Sequence, residues 1–260
     1  MHLGAGHVAA AAVLILVNGL LSLWLGLGVE RRLAIASVRT VVQLLVLGYV
    51  LVPVFAWDSP WLVLGLGLVM TVLAGREAVK RSDHAYRGIQ WAAFTSLLVG
   101  CGATALLGTS VIIGVEPWWE PQYLVPLLGM VLGNALTGIS IGLERCLVLL
   151  DEQRGRVEGL LAFGATWWEA ARPVAAESLR VAMIPILNSM SVVGLVTIPG
   201  MMTGQLLAGS PPEQAARYQM IIMFMIAGSV ALGSVVAILW TVRAMFDDQH
   251  RLRAERIWRR

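Results

Sequence analysis

Seven stretches of this chain are long enough and apolar enough to cross a bilayer, and they constrain the fold before any motif does. They fall at about 7–29, 33–56, 61–79, 91–115, 123–143, 181–208 and 218–242. A helix needs about 20 apolar residues to span the hydrocarbon core. In that medium every backbone N–H and C=O must be satisfied inside the segment, which selects helices. The third stretch is the weakest, because Gly65, Gly67 and Gly75 dilute it and Arg76-Glu77 closes it. Only 13% of the 260 residues are charged and 58% are hydrophobic, whereas a soluble domain carries about 25% charge. The expected fold class is therefore all-α: a multi-pass membrane protein of about seven helices. We expect one transmembrane domain over 1–242 and a short basic tail over 243–260.

The charges fix an expected orientation. Glu30-Arg31-Arg32 follow the first run, and Arg76, Lys80, Arg81 and Arg87 follow the third. Arg145, Arg154, Arg156, Arg172 and Arg180 separate the fifth from the sixth, and six more arginines follow the seventh. The alternate connections hold Asp58, Glu116, Glu120 and Glu213 against the single cation Arg217. Basic connections stay on the inner side. This puts the N-terminus outside, the C-terminus inside and the 144–180 loop in the cytoplasm of a cell with this protein in its inner (plasma) membrane. The net charge of +3 is thus a topology signal, with no indication of nucleic acid. The tail DDQHRLRAERIWRR is helix-compatible and basic, which suits an anchor on anionic lipid.

Several chemistries lack their residues. There is no G-x-x-x-x-G-K-[ST] to cradle ATP phosphates, and no H-E-x-x-H or G-x-S-x-G, so no catalytic residue is assigned and the chain is not expected to be an enzyme. Cys101 and Cys146 stand far apart, without a disulfide or CxxC framework. His2 and His7 are five apart, a poor spacing for one helix face. No cofactor is expected in this chain.

The longest polar interruption is 151–185. It reads as a helix, a tight break at Gly164-Ala165-Thr166 and a second, short helix opening on Trp167-Trp168. Thr166 with Glu169 three residues on is the pattern in which each side chain satisfies the other's backbone N–H. A short capped helix in a loop between spans is a shape suited to docking.

Polar residues inside the spans are the candidate substrate path. Arg39 and Gln43 share a face of the second run; they suit a structural tie or a contact with cargo. In the fifth run, Asn134, Thr137, Ile141 and Glu144 share a face, beside Gly129/Gly133 and Gly138/Gly142. Such a stripe fits a close helix–helix seam, the lining of a path, or a seam bordering a path. In the sixth run Asn188, Ser191, Leu195, Pro199 and Met202 follow helical spacing, and Pro199-Gly200 is the expected break, placed in the outer leaflet. Met201, Met202 and Gln205 lie just past it. Thioether sulfur suits soft metals and equally ordinary packing, so no metal ligand is assigned.

Taken together, GNALTGISIGLE (133–144), FGATWWEA (163–170), Asn188-Ser189, IPGMMTGQ (198–205) and ARYQMIIMF (216–224) resemble the iron-export ABC permease family of the FetB type, to which plant aluminium-sensitivity permeases are similar. The resemblance covers nearly the whole chain. Glu158 and Gly164 match part of the loop by which ABC permeases contact their ATPase, although Gly159 and Leu160 stand where that pattern has two alanines. The resemblance implies a homodimeric permease that exports iron or another metal. A separate cytoplasmic ATPase would bind the ATP and Mg. Glu158, Gly164, Ala165, Thr166, Trp167, Trp168, Glu169 and Ala170 would receive its force. The alternatives are ABC export of a thiol or sugar-nucleotide, and a self-sufficient carrier or channel.

Overall fold

The computed structural model describes residues 5–57 and 59–259. His2, Asp58 and Arg260, which entered the histidine and charge readings, lie outside them. Ten α-helices occur among the described residues. They are α1 (Ala5–Leu25), α2 (Glu30–Trp57), α3 (Pro60–Lys80), α4 (Ile89–Leu97), α5 (Ala103–Leu107), α6 (Pro121–Glu152), α7 (Arg154–Ala162), α8 (Trp167–Val192), α9 (Gly200–Leu207) and α10 (Pro212–Ala244). A π-helical segment, Leu98–Gly102, joins α4 to α5, and a second, Gly108–Ile113, extends them into one long rod. Among the described residues six rods are long and apolar enough to cross a membrane: α1, α2, α3, the α4–α5 rod, α6 and α10.

Packing divides the chain into two compact units, Met1–Asp58 and Ser59–Arg260. The first is the α1/α2 hairpin. Its turn uses Gly26 and Gly28 at positive φ, and the Ser22 hydroxyl donates to Glu30 while accepting from the Val29 N–H, which ties the turn to the start of α2. The second unit is built around α6, α8 and α10, with α3 and the α4–α5 rod packed against them. Hydrophobic burial drives little of this association in lipid, so close approach of small residues matters. A Cβ on Gly138 would lie 2.7 Å from Val230 Cγ1 and 2.9 Å from the Ala182 carbonyl oxygen. One on Gly142 would lie 2.9 Å from Ala182 Cβ. At Gly100 it would meet the backbone of Gly233 at 2.7 Å. The glycine stripe of α6 is thus a three-helix seam at Gly138 and Gly142. A Cβ on Gly133 would meet open space.

Three expectations change. The sixth apolar run is not one helix: α8 already starts at Trp167, ends at Val192 and is followed by a non-helical segment, 193–199, before α9. The helix entering the membrane and the capped loop helix are one 26-residue rod, since nothing from 167 to 192 forces a break; Pro173 and Pro185 are both accommodated within it. The interruption begins at Val193, earlier than Pro199. Gly194 turns at φ +80, and a cluster of β-branched residues around it resists helix. From Val181 to Val192 the rod rises about 16 Å, so the break falls nearer the middle of a core about 30 Å thick than the outer leaflet. Finally, the tail is not helical. Its Ala254–Arg256 turn leads to a strand pair, Trp258–Arg259 antiparallel to His84–Ala85.

Candidate functional site: an inner corner and two cavities along α6

The corner between α7 and α8 is held from within. Gly164 sits at φ +90, a conformation that favours glycine. The Thr166 side chain accepts from the Glu169 N–H at 3.3 Å, and Glu169 Oε2 accepts from the Thr166 N–H at 2.8 Å. The Thr166 N–H first, and then the Thr166 hydroxyl, which donates to Glu169 Oε2 at 2.8 Å, hold the Glu169 carboxyl below the usual carboxylate range. The tail adds a further partner: the Trp167 N–H, unpaired within its own helix, donates to His250 Nδ1 at 3.3 Å. Trp167 also packs against Phe246 with the rings tilted, centroids 6.2 Å apart, and lies 5.9 Å beneath the Arg243 guanidinium. The loop presenting His250 is fastened by Asp247, which accepts from the N–H groups of Arg251 and Gln249 and pairs with Arg253. The two tryptophans therefore divide: Trp167 is anchored inward on the tail, and Trp168 points outward, 37% exposed. Ala170 is buried beneath the cap. Glu158 pairs with Arg154 on exposed α7. Phe163, at the apex, is 93% exposed.

An inner cavity of about 430 Å³ is lined by Arg81, Thr137, Ser140, Ile141, Glu144, Arg145, Val148 and Val181. Arg81 Nη1 donates to Thr137 Oγ1 at 3.4 Å. Both Glu144 oxygens are engaged: Oε2 accepts from Ser82 Oγ at 2.7 Å and the His84 N–H at 3.0 Å, and Oε1 lies 2.7 Å from His84 Nδ1. Glu144 thus fastens α6 to the 81–88 connection, whose His84–Ala85 strand in turn holds the tail. Two guanidinium groups against one engaged carboxylate leave this cavity suited to polar or anionic groups. Ser82 and His84 were not legible as partners, because a loop serine and histidine 60 or more residues away carry no periodic signal.

An outer cavity of about 320 Å³ lies further along α6, at the break after α8. Met130, Asn134, Ser189, Thr197, Met201, Gln219 and Met223 line it, with apolar residues of α8 and α10. Asn134 donates its amide to its own helix at Met130 O, 2.9 Å. Of the residues proposed from sequence, Asn134 and Met201 reach this cavity, and Thr137 and Glu144 the inner one. Asn188 and Ser191 are exposed on α8, where Ser189 and Ile186 take the cavity-facing positions instead. Met202 and Gln205 are half-buried on α9 and do not line it, and the Gln205 Oε1 accepts no hydrogen bond among the described residues. Arg39 and Gln43 belong to the first unit, where both are exposed on α2.

These features recur in other proteins. Residues 5–246 match the family described as "Uncharacterised protein family (UPF0014)". The chain belongs to that family. It is 36% identical over 88% of its length to a UPF0014 membrane protein of Synechocystis, covering 88% of that protein. It is 29% identical over 94% of its length to the "Probable iron export permease protein FetB" of Escherichia coli, covering 93% of it. It is 32% identical over 94% of its length to the Arabidopsis "Protein ALUMINUM SENSITIVE 3", covering 88%. No solved structure matches the chain. This UPF0014 member is a helical, multi-pass membrane protein of a permease-like family, in which the Escherichia coli relative is named a probable export permease.

Proposed function

We propose that this chain is the membrane-spanning subunit of an ABC-type exporter. It works as a homodimer with a separate cytoplasmic ATPase that binds ATP and Mg. The cargo is a metal, as the name of the Escherichia coli relative suggests for that protein. The observation that carries this reading is Phe163. A phenylalanine 93% exposed at the apex of a turn fixed by Gly164, outside the membrane-spanning runs, is an apolar knob that its own chain leaves uncovered, as a docking contact requires. Trp168 stands beside it, and the arginine-rich connections put the corner on the inner side, where an ATPase resides. Beneath it, α8 runs without interruption to the break that forms the outer cavity. Closure of the ATPase would push on the corner, and α8 would carry the push to the cavity wall.

The test uses the permease and its ATPase in lipid vesicles. Phe163→Ser removes the knob, and Gly164→Val forces a side chain into a left-handed backbone although there is room for its Cβ. Both variants should insert normally, lose most nucleotide-dependent transport, and leave the ATPase insensitive to the permease. Full transport by either variant, or full transport by the permease alone, would overturn the proposal.

A further inference from the structure

We infer that the outer cavity is a binding station for a single soft, monovalent metal ion of the Cu(I) or Ag(I) kind, held by the thioethers of Met130, Met201 and Met223 with the amide oxygen of Gln219. This rests on the transport reading above and names its cargo class more narrowly.

Four observations converge on that chemistry. The first is the orphaned group. Gln219 is 7% exposed, lines the cavity, and its Oε1 accepts no hydrogen bond among the described residues. A buried carbonyl oxygen left unpaired costs about 1–3 kcal/mol, and a ligand in the cavity would remove that cost. The second is convergence. Three methionines line one cavity from three separate helices, Met130 on α6, Met201 on α9 and Met223 on α10. Packing alone would be met by leucine, and methionine adds a soft donor.

The third is charge. The polar groups of the lining are the amides of Asn134 and Gln219 and the hydroxyls of Ser189 and Thr197, with no ionisable side chain. Where the lining offers no counter-charge, the penalty for taking an ion out of water grows steeply with its charge. A divalent ion is thereby disfavoured and a soft monovalent one accepted. The opposed helix ends at the cavity, the C-terminus of α8 and the N-terminus of α9, carry partial charges of opposite sign. They offset each other, which leaves selection to the side chains. The fourth is that no group of three His, Cys, Asp or Glu able to hold a metal occurs among the described residues. A site built from thioethers and an amide oxygen needs none of those residues. Met202, adjacent in sequence, does not line the cavity and serves as the control.

The experiment is equilibrium binding of Ag(I) to the purified full-length permease in lipid nanodiscs, without the ATPase. One ion should bind per chain. Met130→Leu, Met201→Leu and Met223→Leu, which nearly conserve volume, should each weaken binding at least about tenfold, and Gln219→Leu should weaken it less. Met202→Leu should leave it unchanged. Because a thioether carries no proton, affinity should stay flat from neutral to mildly acidic pH, and no proton should be released on binding. Absence of binding by the wild type, binding that survives the triple methionine variant, or binding lost instead in Cys101→Ser or Cys146→Ser would overturn the inference. Since the ATPase is absent, each of those outcomes leaves the coupling test at Phe163 untouched. Conversely, silver bound as expected by a permease that ignores its ATPase would sink the coupling reading and keep the site.

Discussion

Gly138→Ala is the sharpest test of the seam that joins α6, α8 and α10. The new methyl carbon would sit 2.7 Å from Val230 Cγ1 and 2.9 Å from the carbonyl oxygen of Ala182, where unstrained contacts lie at about 3.5–4.0 Å. Neither neighbour can swing aside: one belongs to a stiff β-branched side chain and the other to the backbone of α8. The helices must part by several tenths of an ångström. That places the substitution near the top of the overpacking range of about 1–3 kcal/mol. Replacing a mid-helix glycine returns up to about 1 kcal/mol of helix propensity, which leaves a net loss of about 2 kcal/mol. In a unit the size of Ser59–Arg260, each kcal/mol shifts the melting temperature by about 2–4 °C, so a fall of about 4–8 °C is expected. Gly133→Ala, whose Cβ meets open space, supplies the control and should be neutral or slightly stabilising. The assay is thermal unfolding of both purified variants in the same detergent, read by near-UV circular dichroism. An unchanged melting temperature for Gly138→Ala, or a larger fall for Gly133→Ala, would refute the seam.

Two further predictions concern the inner corner. Thr166→Ala removes the hydroxyl that caps α8 and should cost about 1 kcal/mol of local stability, seen as faster amide exchange at 166–170, with Thr166→Ser close to wild type. The Asp247 carboxyl is held below its usual range by the Arg251 N–H first; partial loss of solvation, the next largest effect, opposes this, and the Gln249 N–H and the charges of Arg253 and Arg251 add to the lowering. A lowered folded-state pKa means that its contribution is present above the unfolded value of about 3.9 and lost as pH falls through the folded value. The fluorescence of Trp167, which packs against Phe246, should therefore change on acidification below that range in the wild type. Asp247→Asn should already show the changed signal at neutral pH; a wild-type signal in that variant would remove the tail loop from the support of α8.

What was legible in the sequence follows from the range of the forces involved. Membrane-spanning runs are set by solvent and length, and both are local, so six of the seven runs correspond to rods in the structure. The cap at Thr166 and Glu169 was legible because its partners are three residues apart. The break after α8 was misplaced because Pro199-Gly200 is the strongest local breaker, whereas the chain leaves the helix at Val193, where a glycine at positive φ and branched neighbours act together. The outer cavity was only half legible. Asn134 and Met201 stood out as polar or sulfur-bearing residues in apolar runs. Met130, Met223 and Gln219 did not, since only the packing of α6 against α10 brings them together. The tail read as a helix-compatible lipid anchor because its partners, His84–Ala85 and Trp167, are remote in sequence.

The continuity of α8 changes the mechanics expected of the corner. A short separate helix would pass force through a loop, which absorbs displacement. A single rod from Trp167 to Val192 does not, and from Trp167 to the seam residue Ala182 it rises about 22 Å. The buried Ala182 packs against Gly138 and Gly142, which makes the seam a pivot, with the corner on one side and the cavity wall on the other. Loosening the rod between corner and pivot should therefore separate the two. Arg172 and Ala176 are exposed on α8 and absent from both cavities, and replacing both by glycine weakens the helix by up to about 1 kcal/mol at each site. On the proposed reading, this double variant should still dock and stimulate the ATPase, and should still bind silver, while nucleotide-driven transport falls several-fold. Transport at the wild-type rate with the rod so weakened would mean that the push reaches the cavity by another route, through α6 or the partner copy, and α8 would not be the lever.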